Sequence, residues 1–325
     1  MSVIGNDQLP LISVIIPSYN SEKSIAACLT ALLQQEVEAA YEVILVDSSS
    51  DRTPELVCAQ FPQIRYFHLS EKTPPGRARN YGIARAQGKI LALTDSDCIV
   101  APNWLQEILK AYESSFQVIG GGVLNAFPWH PISIAEYFLE FREFSAFSPR
   151  REIEVLPTNN LAVRREVFER FGAFSDLRAS EDVVFIHNLR RSGVRVLFEP
   201  RIQIRHLNRR AFRPFMRNQN LLGFHAALSR RLLPLSGAAL AQHSYLLPLL
   251  PFIRILRTMQ FILQNRWPHN LKQLLEFACT LPFFFLGACA WSWGFYRGAR
   301  EPESIVANIR EQINFEGNYS APDPR

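Results

Sequence analysis

The sequence predicts an α/β protein in which a doubly wound, mostly parallel sheet is followed by apolar C-terminal helices. Three observations carry this. Short apolar runs alternate with helical segments from Ile12 to Tyr112. Two of those runs end in aspartates, at Asp47 and at Asp95-Ser96-Asp97. After about Arg231 the composition turns apolar. Strand and helix patterns in alternation imply parallel pairing, with ligands bound at the carboxyl ends of the strands.

The first run, Ile12 to Pro17, reads as a buried strand broken by its proline. Ser18 to Ser21 forms a loop, and Ser21 or Ser24 is placed to cap a helix from about Ser24 to Gln35. A second strand, Tyr41 to Val46, ends at Asp47. A helix near Pro54 to Gln60, a strand at Ile64 to Leu69 and a helix from Arg77 to Ala86 follow, the last stopped by Gly88. Ile90 to Leu93 is the next buried strand. Trp104 to Tyr112 reads as a helix and Gln117 to Val123 as a strand. Between Ala135 and Phe147, Phe138, Phe141, Phe144 and Phe147 recur at helical spacing, which favours packing. A helix at about Glu166 to Phe171, one that begins at Ser180-Glu181-Asp182 and ends at Gly193, and strands at Val194 to Glu199 and Gln203 to His206 complete the polar part.

Two aspartates directly after a buried strand are costly unless something positive sits beside them. Hard oxygen ligands suit Mg²⁺ or Mn²⁺, and those ions suit phosphate oxygens. Taken alone, the Asp95-Ser96-Asp97 triplet fits an ordinary turn better than a site, because both residue types favour turns. Asp47 at a neighbouring strand tip shifts the balance toward a nucleotide and a metal. Glu181 and Asp182 by themselves fit plain helix capping, and His206 a satisfied strand-end histidine.

A chain of 325 residues with 48% hydrophobic content can bury a sizeable core. The net charge of +5 is biased to arginine, which suits phosphate or a membrane surface. No stacking platform or binding motif accompanies it, so nucleic acid is not expected as a partner. The five cysteines lack metal-site spacing, and a reduced, cytosolic setting is the simplest expectation. Met1 to Pro10 has no secretion-signal pattern. Neither a Gly-x-Gly-x-x-Gly fingerprint nor a Walker-type lysine loop is present, which argues against a dehydrogenase or a P-loop NTPase.

From about Leu11 to Gly223 the chain resembles the inverting family 2 glycosyltransferases of the GT-A fold. The resemblance rests on motifs in order: Ile-Ser-Val-Ile-Ile-Pro-Ser-Tyr-Asn-Ser; Val-Ile-Leu-Val-Asp-Ser-Ser-Ser-Asp-Arg-Thr; Gly76 to Gly82 with Ala86-Gln87-Gly88; Thr-Asp-Ser-Asp-Cys; Ser-Glu-Asp-Val-Val-Phe; and His206. The chain departs where many members carry further acids, at Ser48 and Cys98. The resemblance implies transfer of a sugar from a nucleoside diphosphate donor by direct displacement, aided by Mg²⁺ or Mn²⁺. It makes Asp97 the metal ligand, with His206 adding a nitrogen and Asp95 nearer the ribose or a bridging water. Pro17, Tyr19 and Asp47 would frame the nucleobase and ribose, and Arg77 and Arg79 would meet base or phosphate, unless they pair on a solvated helix face. Asp182 takes the place of the general base, with Glu181 as the neighbouring acid. A helix N-terminus is expected to keep Asp182 ionised.

Leu232 to Ile253 and Phe277 to Tyr296 contain no formally charged residue, and as helices either is about long enough to cross a hydrocarbon core. The first is interrupted by Pro234, Pro248 and Pro251. The second carries Trp291, Trp293 and Tyr296 near one end, like an interfacial belt. Arg254, Arg257, Arg266 and Lys272 between them resist translocation, so interfacial or re-entrant helices are favoured over a two-span hairpin. The alternative is a helical subdomain packed on the catalytic domain or on a second copy in a homo-oligomer. The expected organisation is a catalytic domain over residues 1–223, a membrane-associating region over 224–300, and a polar, disordered tail over 301–325. The expected enzyme works at the cytosolic membrane face on a glycan, glycolipid or lipid-linked acceptor. A polyprenyl-phosphate sugar synthase and a degenerate nucleotide-sugar-binding subunit are the alternatives.

Overall fold

The computed structural model describes residues 9–175, 180–242 and 244–315. The chain forms two compact units, one built on Met1–Gly122 and Arg150–His206, the other on Val123–Pro149 and Leu207–Gln312. The division therefore does not run at residue 223. The segment that contains the phenylalanine series leaves the first unit and joins the second.

In the first unit, β1 (Ile12–Ser18), α1 (Ile25–Leu33), β2 (Tyr41–Asp47), α2 (Thr53–Gln60), β3 (Arg65–His68), α3 (Pro75–Arg85) and β4 (Ile90–Thr94) alternate as the apolar periodicity predicts. Strands β1, β2 and β4 are buried along their whole length, as strands covered on both faces must be. β5 (Cys98–Val100), α4 (Trp104–Ala111) and β6 (Val118–Asn125) follow. After α5 (Pro131–Phe141) come β7 (Arg151–Glu152), β8 (Asn160–Arg164), α6 (Arg165–Phe171), α7 (Glu181–Arg191) and β9 (Val196–His206). The sheet order is β3-β2-β1-β4-β8-β6-β9-β5, with β7 on β9.

The half from β3 to β4 is parallel and doubly wound. The other half pairs antiparallel, through β4 with β8, β8 with β6 and β9 with β5. Strand β8 has no counterpart in the sequence expectation: its five residues lie between Asn159 and a helix start, too short a run for periodicity to show. The two strands expected at Val194 to His206 are one continuous β9, with a buried Pro200 inside it.

In the second unit, α8 (Phe212–Leu232), α10 (Leu250–Gln264) and α11 (His269–Ala299) pack with α5, α9 (Ala238–Gln242) lies on α8 and α11, and most of α12 (Glu303–Phe315) follows. The phenylalanine series does not continue as one helix, because α5 ends at Phe141 and a 3₁₀ turn covers Arg142–Phe144. Phe138 and Phe141 are buried as expected for packing, and Phe138 meets Phe277 edge-on at 5.4 Å. Helices α8 and α11 touch backbone to backbone: a Cβ on Gly223 would stand 1.9 Å from the Trp291 carbonyl oxygen, and one on Gly294 equally close to that of Asn220. Among the described residues α11 alone is long and apolar enough to cross a membrane, with mean hydropathy 1.6 over its most apolar window. A third of that window is buried within the protein. The first apolar run is not one helix but α9, a 3₁₀ stretch through Pro248, and the start of α10. The expected irregular tail begins instead with α12, which Glu303 ties to Arg231 at 2.6 Å; residues 317–324 lie outside the described ones.

Candidate active site

All ten residues singled out above lie in the first unit. Strand β4 ends at Thr94, and the Cys98 amide closes the Asp95-to-Cys98 turn on the Asp95 carbonyl at 3.0 Å. That turn projects Asp95 and Asp97 beyond the sheet. Antiparallel pairing sets Cys98 opposite His206, the last residue of β9, and so brings to Asp97 a histidine from 109 positions further along the chain. The distance from His206 Nε2 to Asp97 Oδ1 is 3.5 Å.

Arg79 is the centre of the arrangement. Its side chain is only 3% exposed, and it donates Nη2 to Asp95 Oδ1 at 2.5 Å and Nη1 to Glu181 Oε1 at 2.7 Å. A buried guanidinium between two carboxylates keeps its charge: Asp95 and Glu181 outweigh burial and hold its pKa above the ordinary value. Helix α3 reaches the start of α7 because of Gly76, where a Cβ would lie 2.6 Å from the Ser175 carbonyl oxygen and 3.3 Å from Glu181 Cγ. Arg79 thus spends both terminal nitrogens inside the protein, whereas Arg77, two positions earlier, is exposed.

Glu181 and Asp182 open α7, behind Ser180 in a left-handed conformation with φ 73°. Asp182 Oδ1 accepts the Val183 amide at 2.8 Å. Burial nonetheless raises its pKa, against the opposing pull of that amide and of Arg79. The helix N-terminus therefore does not lower the Asp182 pKa below its ordinary value, because the loss of water outweighs it. Glu181 is pushed up to about 7, by burial first and by Asp182 second.

Asp47, fully buried at the end of β2, accepts hydrogen bonds from the Ser49 amide at 3.2 Å and hydroxyl at 2.5 Å, and from Tyr66 at 3.2 Å; His68 Nδ1 lies 3.1 Å away. Burial and this carboxylate both push the Tyr66 phenol up. Pro17 is buried on β1 opposite Val46. Tyr19 is 41% exposed, with Lys72 Nζ 4.3 Å from its ring centre. Past Asp47 a groove of about 400 Å³ opens between His68, Lys72, Thr73, Arg77 and Tyr81.

Asp97, Cys98 and His206 offer donor atoms within 4.8 Å of one another. Two ligands each about 2.1 Å from one ion can stand 3.5 Å apart, so the carboxylate and imidazole fit a hard divalent cation. The Cys98 thiol is a soft donor, and burial and the two aspartates push its pKa well up. Cys28 lies beneath the same turn, its Sγ donating to the Asp95 carbonyl at 3.5 Å. The sequence pointed to Asp47, Asp95, Asp97, Glu181, Asp182 and His206, but not to Tyr66, His68, Cys28 or the double pairing of Arg79. Only the last left a trace in the sequence: Gly76-x-x-Arg79-x-x-Gly82 sets the arginine on the same helix face as two glycines.

A half-parallel sheet with paired acids at its strand tips has the GT-A arrangement of glycosyltransferases. The fold matches that of the mannosyltransferase PcManGT from Pyrobaculum calidifontis, solved with GDP-Man and Mn²⁺, with a TM-score of 0.57, 19% identity, and coverage of 89% of this chain and 87% of that one. Residues 13–172, just under half of the chain, match the model of glycosyl transferase family 2, and over that stretch the chain is a member of the family. It is 32% identical over 173 residues to the glycosyltransferase AglE of Haloferax volcanii, covering 51% of this chain and 56% of that protein. It is 34% identical over 110 residues to the succinoglycan biosynthesis protein ExoO of Rhizobium meliloti, covering 34% and 32%. The matches thus span about half or less of these relatives' own lengths.

Proposed function

We propose that the protein transfers a sugar, with inversion, from a nucleoside diphosphate donor to a hydroxyl acceptor on a glycan or lipid-linked saccharide. The observation that carries this is the linkage of three elements through Arg79: the turn after β4 that bears Asp95 and Asp97, α3, and the start of α7 with Glu181 and Asp182. Such a linkage fixes the spacing between a diphosphate-binding turn and a proton acceptor, which a direct displacement requires. Family membership and the metal-bound, donor-bound fold relative support the same chemistry.

In this reading the acceptor oxygen attacks the anomeric carbon, the bond from that carbon to the diphosphate breaks, and the acceptor proton passes to Asp182. Glu181 is held by Arg79, whereas the only hydrogen bond to the Asp182 carboxylate among the described residues comes from Val183 N–H, which leaves Asp182 the better placed base. A raised pKa makes it a stronger proton acceptor near neutrality. Asp97 and His206 would hold Mg²⁺ or Mn²⁺, which when bound would supply positive charge to the departing diphosphate. Asp95 serves the ribose or a bridging water, Asp47 with Pro17 and Tyr19 frames the nucleoside, and Arg77 edges the adjoining groove. Arg79 positions the acids rather than the donor.

The second unit fits a monotopic or re-entrant association with the cytosolic membrane face. Its support is the exposed apolar surface of α10 and α11, with Phe252, Leu256, Leu263, Leu271, Leu275 and Trp293 all more than half exposed, beside Arg266 and Lys272. A thermal-shift panel of UDP-, GDP- and dTDP-sugars with Mn²⁺ tests the donor assignment: at least one donor should raise Tm, and Asp97→Asn should remove the Mn²⁺-dependent part. A flat panel would contradict it.

A further inference from the structure

Four arginines of the second unit gather around a single glutamate. Arg142, which directly follows α5, donates Nη1 to the carbonyl oxygens of Phe138 at 3.4 Å and Leu139 at 2.9 Å. Arg254 of α10 donates Nη2 to that same Leu139 oxygen at 2.9 Å, so the two guanidiniums are drawn to one atom. Arg142 is buried, and Arg254 lies half-buried over Trp291, 4.3 Å from its ring centre. The Nε atom of each is buried and finds no acceptor among the described residues. Arg257, one turn past Arg254, points a half-exposed side chain at Glu143, and Arg230 stands close enough for its charge to oppose that of Arg254.

The local acids offset this charge only in part. Glu143 Oε1 lies 3.6 Å from Arg142 Nη2 and 3.7 Å from Arg257 Nη2, both beyond hydrogen-bond length. Glu140, the other nearby carboxyl, keeps its proton up to about pH 8 because of burial and of Glu136, and its Oε1 already accepts from Asn218 and Gln219 at 2.7 Å. The carbonyl end of α5 accounts for two donors and a fraction of a charge. Among the described residues, the two buried N–H groups have no acceptor, and one glutamate faces four arginines.

We infer that Arg142, Arg254 and Arg257 form a binding site for a phosphate group, either on a lipid headgroup or free in solution. Guanidinium forks match the several oxygens of a phosphate better than a single carboxylate, and a second and third fork can engage the remaining oxygens. Entry is from the Arg257 side, where that side chain is 48% exposed and Glu143 32%. Exposed Phe252, Ile253 and Leu256 on the same helix offer apolar contact to the chains of a lipid. This inference is independent of the transferase chemistry, because none of these residues belongs to the candidate active site.

The test uses the full chain, without divalent cation, in two arms. One titrates inorganic pyrophosphate by calorimetry; the other sediments the protein with phosphatidylcholine vesicles that contain or lack phosphatidylglycerol. Wild type is compared with Arg254→Gln, Arg257→Gln, Glu143→Gln and a control double variant on the surface of the first unit, Arg190→Gln with Arg195→Gln. The expected result is that either arginine variant weakens binding about tenfold or more, Glu143→Gln strengthens it, and the control pair changes it less. Arg257→Gln keeps the test valid should Arg254→Gln fail to fold, since Arg257 is half exposed. Loss confined to the vesicle arm assigns a lipid headgroup, and loss in the pyrophosphate arm assigns a free phosphate. Equal binding by wild type and the arginine variants in both arms, an equal loss in the control pair, or weaker binding by Glu143→Gln would overturn the site.

Discussion

At the scale of single residues, Asp182 separates this account from a purely structural role for the acid pair. Asp182→Asn keeps the Val183 contact and removes the proton acceptor, so transfer should fall by about 10²–10⁴-fold while donor affinity is unchanged. Parallel measurement of initial rates and donor binding checks this; a variant with normal turnover would move the base elsewhere. The pH profile carries a sign. A base works deprotonated, and the pair titrates high, with Glu181 at about 7. Thus kcat/KM should rise with pH and reach its plateau at a higher pH than it would for an unshifted carboxylate base; a profile flat from pH 4 upward would contradict the shift. Residue identities were the most legible part of the sequence, since Asp95, Asp97, Asp182 and His206 stand in recognisable motifs. Their electrostatics were not: the shift of Asp182 depends on how much water the fold removes, and no local pattern encodes that.

Between elements, the coupling of α3 to α7 and to the turn after β4 rests on Arg79 and Gly76. Arg79→Met leaves Asp95 and Glu181 near each other without their shared cation, and should cost about 3–5 kcal/mol. Arg79→Lys offers a single point charge where two carboxylates need a fork, and should be intermediate in melting temperature and in activity. Gly76→Ala places a methyl against the Ser175 carbonyl oxygen and should cost about 1–3 kcal/mol unless α3 shifts. Thermal melts with initial rates test all three; an unperturbed Arg79→Met would show that the linkage is incidental. The parallel half of the sheet could be read from alternating apolar runs, because each of its strands is followed by a helix with its own period. The antiparallel half could not. β8 is short and directly joins α6, and only pairing between distant segments reveals it.

For the whole molecule, the second unit holds features that composition alone suggested only as apolarity. Its acid Glu140, ordinarily near 4.5, is raised to about 8, so the folded chain binds this proton more tightly than the unfolded chain. That contribution to stability is complete below about pH 4.5 and is lost as pH rises through 8. Wild type should therefore lose more Tm between pH 6 and pH 9 than Glu140→Gln does; parallel curves would refute the shift. Detergent-free fractionation should find the chain with membranes, and wholly soluble protein would contradict the surface reading of α10 and α11. The boundary between the units escaped the sequence because an insertion from the middle of the chain completes the C-terminal unit, and contiguity is what sequence patterns assume. The central claim is that Asp97 and His206 hold the ion for a donor whose acceptor is deprotonated by Asp182. It is tested most directly by nucleoside diphosphate release from a panel of donor sugars with Mn²⁺, comparing wild type, Asp97→Asn and Asp182→Asn. The account predicts release by wild type from at least one donor, loss of the Mn²⁺ dependence in Asp97→Asn, and loss of release with donor binding intact in Asp182→Asn. Release that is equal in all three proteins would contradict it.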